Sequence, residues 1–143
     1  MTKQEYWDVY EFVGAAQEVH KTLGRGVHER IYQEALAVEL KQKGMDFERE
    51  KHLHVTYKGV DLQMTYIADF YYKGIIVELK SLDTINSDNR AQLFNYMRIT
   101  GHVRGILLNF GEKSLRAERY LYLPDDDNFI LLTRENYKRY ITD

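Results

Sequence analysis

Asp69, Glu78 and Lys80 are the residues whose types and spacing lend themselves to chemistry. They lie in Ile67-Ala-Asp-Phe-Tyr-Tyr-Lys-Gly-Ile-Ile-Val-Glu-Leu-Lys80, two β-rich runs that meet at Lys73-Gly74 and read as a hairpin. A two-residue loop there sets Tyr71 against Ile76, Asp69 against Glu78 and Ile67 against Lys80. Opposed side chains in an antiparallel pair stand roughly 5 Å apart, and two carboxylates at that separation repel unless a cation lies between them. A divalent ion is the natural candidate. Strand alternation puts Glu78 and Lys80 on one charged face, and Leu79 on an oily face with Ala68, Phe70 and Val77. A bulged three-residue loop would shift the register by one and leave only the Glu78-x-Lys80 alternation.

Hard oxygen ligands suit Mg²⁺ or Mn²⁺, which keeps several waters, lowers the pKa of one and neutralises charge developing on a phosphate. An ammonium one pleat away can hold the attacking water or stabilise the charged transition state. The set therefore fits hydrolysis of a phosphodiester. The competing reading is a surface ion-pair cluster with no chemistry.

The elements that position these residues follow from periodicity. Residues 4–22 place Tyr6, Val9, Tyr10, Val13, Ala16 and His20 at helical spacing. His20 reads as a helix-end histidine before it reads as a ligand or base. A second helix is predicted over Val27–Lys43, with two adjoining apolar stripes that imply burial on a broad front. Glu29 lies in its first turn, where the helix dipole alone accounts for an acid, although the neighbouring Tyr32 and Leu36 make a solvated acid less expected. Phe47–Tyr57 and Val60–Tyr72 read as two long strands joined at Lys58-Gly59. The Glu48, Glu50, His52 and His54 alternation on the first fits a solvated edge better than a metal strip.

Beyond the hairpin, Ser87 is predicted to cap a helix over Asp88–Thr100 that ends at Gly101. Gln92 and Tyr96 share one stripe of it, facing either a polar site or simply solvent and core. Val103–Phe110 reads as a strand buried on both faces, so the helix before it is a crossover. Strands over Leu115–Tyr122 and Phe129–Thr133 and an aromatic tail complete the chain. Asp125, Asp126 and Asp127 lack calcium-loop spacing and read as a solvated turn.

With 143 residues, 44% hydrophobic and 29% charged, the chain suits one domain over residues 1–143 with a real core. No apolar run is long enough for a bilayer and the first residues lack a signal peptide's apolar core, so a cytoplasmic protein without a membrane partner is expected. The absence of cysteine removes disulfides and thiolate metal sites. A net charge of −2 argues against coating nucleic acid by bulk electrostatics.

Asp69 followed by Glu78-Leu79-Lys80 resembles the PD-(D/E)XK nuclease signature, with Ala68 where the superfamily name has Pro. The order helix, three strands, helix, strand is similar to that superfamily's core. Gly26-Val27-His28-Glu29-Arg30-Ile31-Tyr32 further resembles the motif of its GxxExxY family, and Leu107-Leu108-Asn109-Phe110-Gly111 is like that family's members. The resemblance spans about residues 12–122. It implies an α/β fold, the restriction-endonuclease-like core, in which helices flank a mixed central sheet. It implies that Asp69 and Glu78 bind Mg²⁺ or Mn²⁺, that the Leu79 carbonyl adds a ligand, that Lys80 is catalytic and that Glu29 completes the acidic site. Gln92 and Tyr96 resemble the QxxxY element of RecB-like nucleases, which orders the site or contacts DNA, and Arg98 lies beside it. The expectation is a nuclease acting on DNA in preference to RNA, working as a homodimer to grip a duplex. The alternatives are a non-catalytic module that binds nucleic acid or protein through Arg25, Arg30, Arg98 and Arg104, and a structural partner with exposed aromatic surface from Tyr120, Tyr122, Phe129, Tyr137 and Tyr140.

Overall fold

The structure, a computed structural model, describes residues 1–143. Two helices, α1 (Lys3–Leu23) and α2 (Glu29–Gln42), precede β1 (Glu48–Leu53), a short ribbon of β2 (Thr56–Tyr57) and β3 (Val60–Asp61), then β4 (Tyr66–Tyr72) and β5 (Ile75–Lys80). The crossover helix α3 (Ser87–Thr100) leads to β6 (Arg104–Asn109), β7 (Arg116–Leu123) and β8 (Asn128–Leu131). The main sheet has the order β1-β4-β5-β6-β7-β8. Only the β5·β6 pair is parallel, because α3 carries the chain back to the sheet's other end, whereas the remaining neighbours run antiparallel. No helix is long and apolar enough to cross a membrane.

Each face of the sheet has its own core. Ile75, Val77 and Leu79 of β5 and Ile106 and Leu108 of β6 pack with Phe12 and Val13 of α1 and Tyr32, Leu36 and Leu40 of α2. Ile76 and Leu107 point the other way, onto Leu93 and Met97 of α3. Burying each such side chain stabilises the fold by about 1.5–3 kcal/mol, which fixes both helix layers against the strands that carry the charged residues. Gly105 lies under Met97, where a Cβ would collide with the thioether Sδ, so α3 sits close on the sheet.

Several expectations are corrected. The two long strands predicted over Phe47–Tyr72 break at His54-Val55 and Leu62–Thr65, so their outer ends form the separate β2·β3 ribbon. Of the two apolar stripes on α2, the one through Tyr32, Leu36 and Leu40 is buried, while Ile31 and Val38 of the other are about half exposed, since a helix resting on one surface can bury only one flank. That helix begins at Glu29 behind His28, whose Nδ1 accepts from Arg30 N (3.1 Å). The cap of α3 is Asn86, paired reciprocally with Asn89. The aromatic tail is not free surface: Tyr120 and Tyr122 are buried, Phe129 stacks on Phe94 and Tyr122, and Tyr137 stacks on Tyr6. His20 serves structure, with Nε2 2.9 Å from the Glu112 carbonyl.

Candidate active site

The Lys73-Gly74 turn has positive φ at both residues, 48° and 84°, the geometry of a tight two-residue hairpin loop. It sets the predicted register, with Tyr72 on Ile75, Tyr71 on Ile76 and Phe70 on Val77. There the ladder stops. The Leu79 N–H donates to Asp69 Oδ2 (2.8 Å) instead of a backbone carbonyl, while β5 stays paired with β6 through Glu78, Leu79 and Lys80. The two strands of the hairpin therefore splay into a notch, and the backbone pairing of Asp69 with Glu78 and of Ile67 with Lys80 is absent.

The same level disturbs β1. Glu50 adopts φ 47° in mid-strand, a conformation costly for a side-chain-bearing residue, and neither Glu50 nor Asp69 joins the β1·β4 register that brackets them. Side chains change face on either side of it. Arg49 reaches Gln33 on the α2 side, whereas Lys51 lies over the Tyr71 ring on the α3 side. Likewise Phe70 joins the α1/α2 core but Ala68 joins the α3 core, so the expected grouping of Ala68 with Phe70, Val77 and Leu79 fails at Ala68.

Glu78 is buried at 6% exposure, and its Oε1 has no hydrogen-bond partner. Burial holds its pKa well above the ordinary carboxylate range, and the neighbouring Asp69 charge pushes the same way against the opposing pull of Lys80. Asp69 is raised too, chiefly by burial, with the Leu79 N–H and Lys80 pulling it down. None of the chain's ion pairs involves Glu29, Asp69, Glu78 or Lys80. A surface ion-pair cluster would show such pairs, and it would not bury an unpartnered carboxylate oxygen.

Two helices close over the notch. At the first position of α2, Glu29 is open to solvent yet loses enough water to raise its pKa, with Asp69 adding and Lys80 opposing. The loop before it is latched twice: buried Tyr32 accepts from Val27 N (3.2 Å) and donates to the Gly24 carbonyl, and Ser81 Oγ, next after Lys80, donates to the Val27 carbonyl (3.0 Å). From α3, Gln92 Oε1 accepts from Lys80 Nζ (3.3 Å) and Gln92 Nε2 donates to the Tyr96 hydroxyl (3.0 Å). Lys80 can only donate, which fixes the orientation of the Gln92 amide and leaves the Tyr96 O–H free to donate. A cleft of about 680 Å³ opens beside this site, lined by Arg25, His28, Glu29, Ser81, Leu82 and Gly111 among others.

A family model described as the PD-(D/E)XK nuclease superfamily matches residues 8–120, most of the chain and every residue of this notch. The chain belongs to the PD-(D/E)XK nuclease superfamily. A search of curated proteins and of solved structures found no match. The mixed six-stranded sheet with helices on both faces agrees with the PD-(D/E)XK fold.

PD-(D/E)XK nucleases typically use divalent metal, and the donor set here fits one. No three acidic or histidine side chains stand together as a ready ligand set. What the notch offers is two hard carboxylates, one with a bare buried oxygen, and the Leu79 carbonyl, which faces the same side of β5 as the Leu79 N–H. That set would leave several positions for water and phosphate, the coordination Mg²⁺ and Mn²⁺ favour.

Arg98 does not join the cluster; it hydrogen-bonds Asn95 and lies 3.5 Å from Asp127. Arg104 is buried, donating to the Glu5 and Lys73 carbonyls behind the hairpin turn, so it cannot bind a partner. Arg30 reaches Glu50 (3.6 Å), tying the start of α2 to β1. The role of Asn109 is not visible in the Leu107–Gly111 resemblance. Asn109 is fully buried, accepts from Leu82 N (2.9 Å) and Gly111 N (3.2 Å), and donates to the Leu82 carbonyl (2.9 Å), so it clamps the chain leaving Lys80. The signal available was a lone Asn inside an otherwise apolar strand, which burial obliges to be fully bonded.

Proposed function

We propose that this protein is a Mg²⁺- or Mn²⁺-dependent nuclease of the GxxExxY group, hydrolysing phosphodiester bonds in DNA in preference to RNA. The observation that carries the reading is the buried, unpartnered Glu78 Oε1 beside Asp69 in a notch that no cation of the chain fills. Asp69, Glu78 and the Leu79 carbonyl would hold the ion, with Glu29 reaching it from the mouth. Bound there, the ion supplies an acidified water and neutralises charge on the phosphate.

The chain's own groups do the rest. Lys80 Nζ, aimed by Gln92, orients the attacking water or stabilises the negative charge that grows on the phosphate oxygens. Tyr96, whose pKa is raised by burial and by Glu78 and Asp69, stays protonated and presents its O–H to a phosphate oxygen. The loop latched by Tyr32 and Ser81 keeps Glu29 at the notch, which gives the Gly26, Glu29 and Tyr32 spacing a mechanical reason.

The test is a cleavage panel of single-stranded, duplex and branched DNA and of RNA, with Mg²⁺ or Mn²⁺, run beside Lys80→Ala. Cleavage by the native protein alone is the expected result. Equal cleavage by both proteins would assign the activity to a contaminant.

A further inference from the structure

Beyond Tyr96 the site continues into an apolar cavity. The Tyr96 ring packs on Tyr66, with centroids 4.1 Å apart and planes 36° from parallel. Tyr66 in turn lines a cavity of about 270 Å³ with Val55, Leu62, Met64, Thr65 and Ile99. Leu62 N donates to the Val55 carbonyl (2.9 Å), so the base of the β2·β3 ribbon forms one wall, and the start of β4 and the end of α3 form the others. Its lining is unpartnered: Met64 is 83% exposed, and Leu62 and Ile99 are each 42% exposed. Besides the phenol of Tyr66, the polar lining side chain is Thr65, whose hydroxyl lies 2.8 Å from His52 Nδ1.

We infer that this cavity is a nucleobase subsite, receiving one unstacked base of a single strand whose phosphate lies at Glu78 and Lys80. The inference rests on the nuclease reading and names the form of substrate that it takes. Continuity is the first argument: Lys80, Gln92, Tyr96 and Tyr66 touch in series, so a strand with a phosphate at one end of that series brings a neighbouring base to the other.

Shape and chemistry are the second argument. The cavity is too small for a partner helix, which needs a groove some ~10 Å across, but a flat ring fits between aromatic, aliphatic and thioether groups. Thr65 supplies a polar contact that an exocyclic edge would seek. Charge is the third. A chain of net charge −2 gains little from bulk phosphate attraction, whereas stacking needs no charge and accepts any base. In a blunt duplex the bases are already stacked and paired, so only a single-stranded or frayed end can fill the cavity.

The test is fluorescence anisotropy in EDTA, where no cleavage occurs, using the native chain and a Met64→Ser/Ile99→Ser double variant at exposed positions. The probes are a labelled single-stranded oligonucleotide, the same sequence as a blunt duplex, and an abasic strand of equal length. The native protein should bind the base-bearing strand about tenfold tighter than either the abasic strand or the duplex. The double variant should lose that margin while keeping the native thermal melt. Equal native affinity for abasic and base-bearing strands would overturn the inference without relying on any variant. So would a native dimer that the double variant dissociates, because the patch would then be a contact between copies. Cleavage in Mn²⁺ is scored separately: cutting without base discrimination removes the subsite and leaves the nuclease, and base discrimination without cutting removes the nuclease and leaves the subsite.

Discussion

Glu78→Gln should stabilise the metal-free protein. Glu78 is buried, its Oε1 meets no donor, and Asp69 stands against it, so ionising it in the fold costs energy that the unfolded chain does not pay. An unsatisfied buried polar atom costs about 1–3 kcal/mol, and glutamine removes the charge while offering Asp69 a donor. Allowing for local relaxation, a gain of about 1 kcal/mol is expected, or about 4 °C in Tm for a chain of this length. The sign with pH is fixed by the raised pKa. Below the ordinary glutamate value of 4.5, Glu78 is protonated folded and unfolded, so the two proteins should be equally stable. As pH rises above it the unfolded chain ionises first, native stability falls, and the advantage of the Glu78→Gln protein grows until the folded pKa is passed. Asp69 and Glu78 titrate as a coupled pair, so the midpoint belongs to both. Urea melts in EDTA from about pH 4 to 8 measure this. A Glu78→Gln protein less stable than native at the alkaline end, or a difference that ignores pH, would refute the reasoning.

Three further outcomes follow from the same geometry. Mn²⁺ binding measured by calorimetry should weaken as pH falls, because the Asp69 and Glu78 pair must shed its proton to coordinate, and Asp69→Ala should abolish it; identical isotherms would remove Asp69 from the metal site. Gly111→Ala should destabilise the fold by about 1–3 kcal/mol in a urea melt, since a Cβ there would collide with the Leu82 backbone oxygen that Asn109 holds in place; a neutral result would mean the loop after Lys80 is not clamped. Arg90→Met should cost about 2 kcal/mol at neutral pH, because buried Glu118 loses two bonds of 2.8 and 2.9 Å and keeps only the Tyr120 hydroxyl and the more distant Arg116 at 3.8 Å. Because that pairing lowers the Glu118 pKa, the cost should shrink as pH drops below about 4.5, and a cost constant with pH would exclude the ion pair as its cause.

Local signals carried much of the fold. Lys73-Gly74 dictated the hairpin register, and Gly101 ends α3 in the left-handed conformation that its place after the helix foretold. The apolar run of β6 marked a strand buried on both faces. What periodicity missed arises where a side chain replaces a backbone partner. Asp69 takes the Leu79 N–H, the ladder opens, and the alternation rule that placed Ala68 with Phe70 stops holding. Glu50 was set aside as edge-strand charge because nothing in a sequence announces a positive φ at a glutamate. Spacing could not tell which of two apolar stripes on α2 meets the sheet, nor that Arg104 turns inward to backbone carbonyls. Of the candidate site, the strands that carry Asp69, Glu78 and Lys80 were legible from the Lys73-Gly74 turn and the β-rich runs on either side of it, whereas the clamps at Asn109 and Ser81 are made with backbone atoms that every residue shares.

If the notch between β4 and β5 is a hydrolytic centre, removing the Asp69 charge must stop hydrolysis without unfolding the chain. The most direct measurement is the initial rate of oligonucleotide cleavage in Mn²⁺ by Asp69→Asn, prepared beside the native protein and matched to it by thermal melt. Asparagine can still accept the Leu79 N–H, so the fold keeps its hydrogen bond while the notch loses a charge. The expected result is a fully folded protein whose cleavage falls to the no-enzyme background. A folded Asp69→Asn protein that cleaves at the native rate would contradict it.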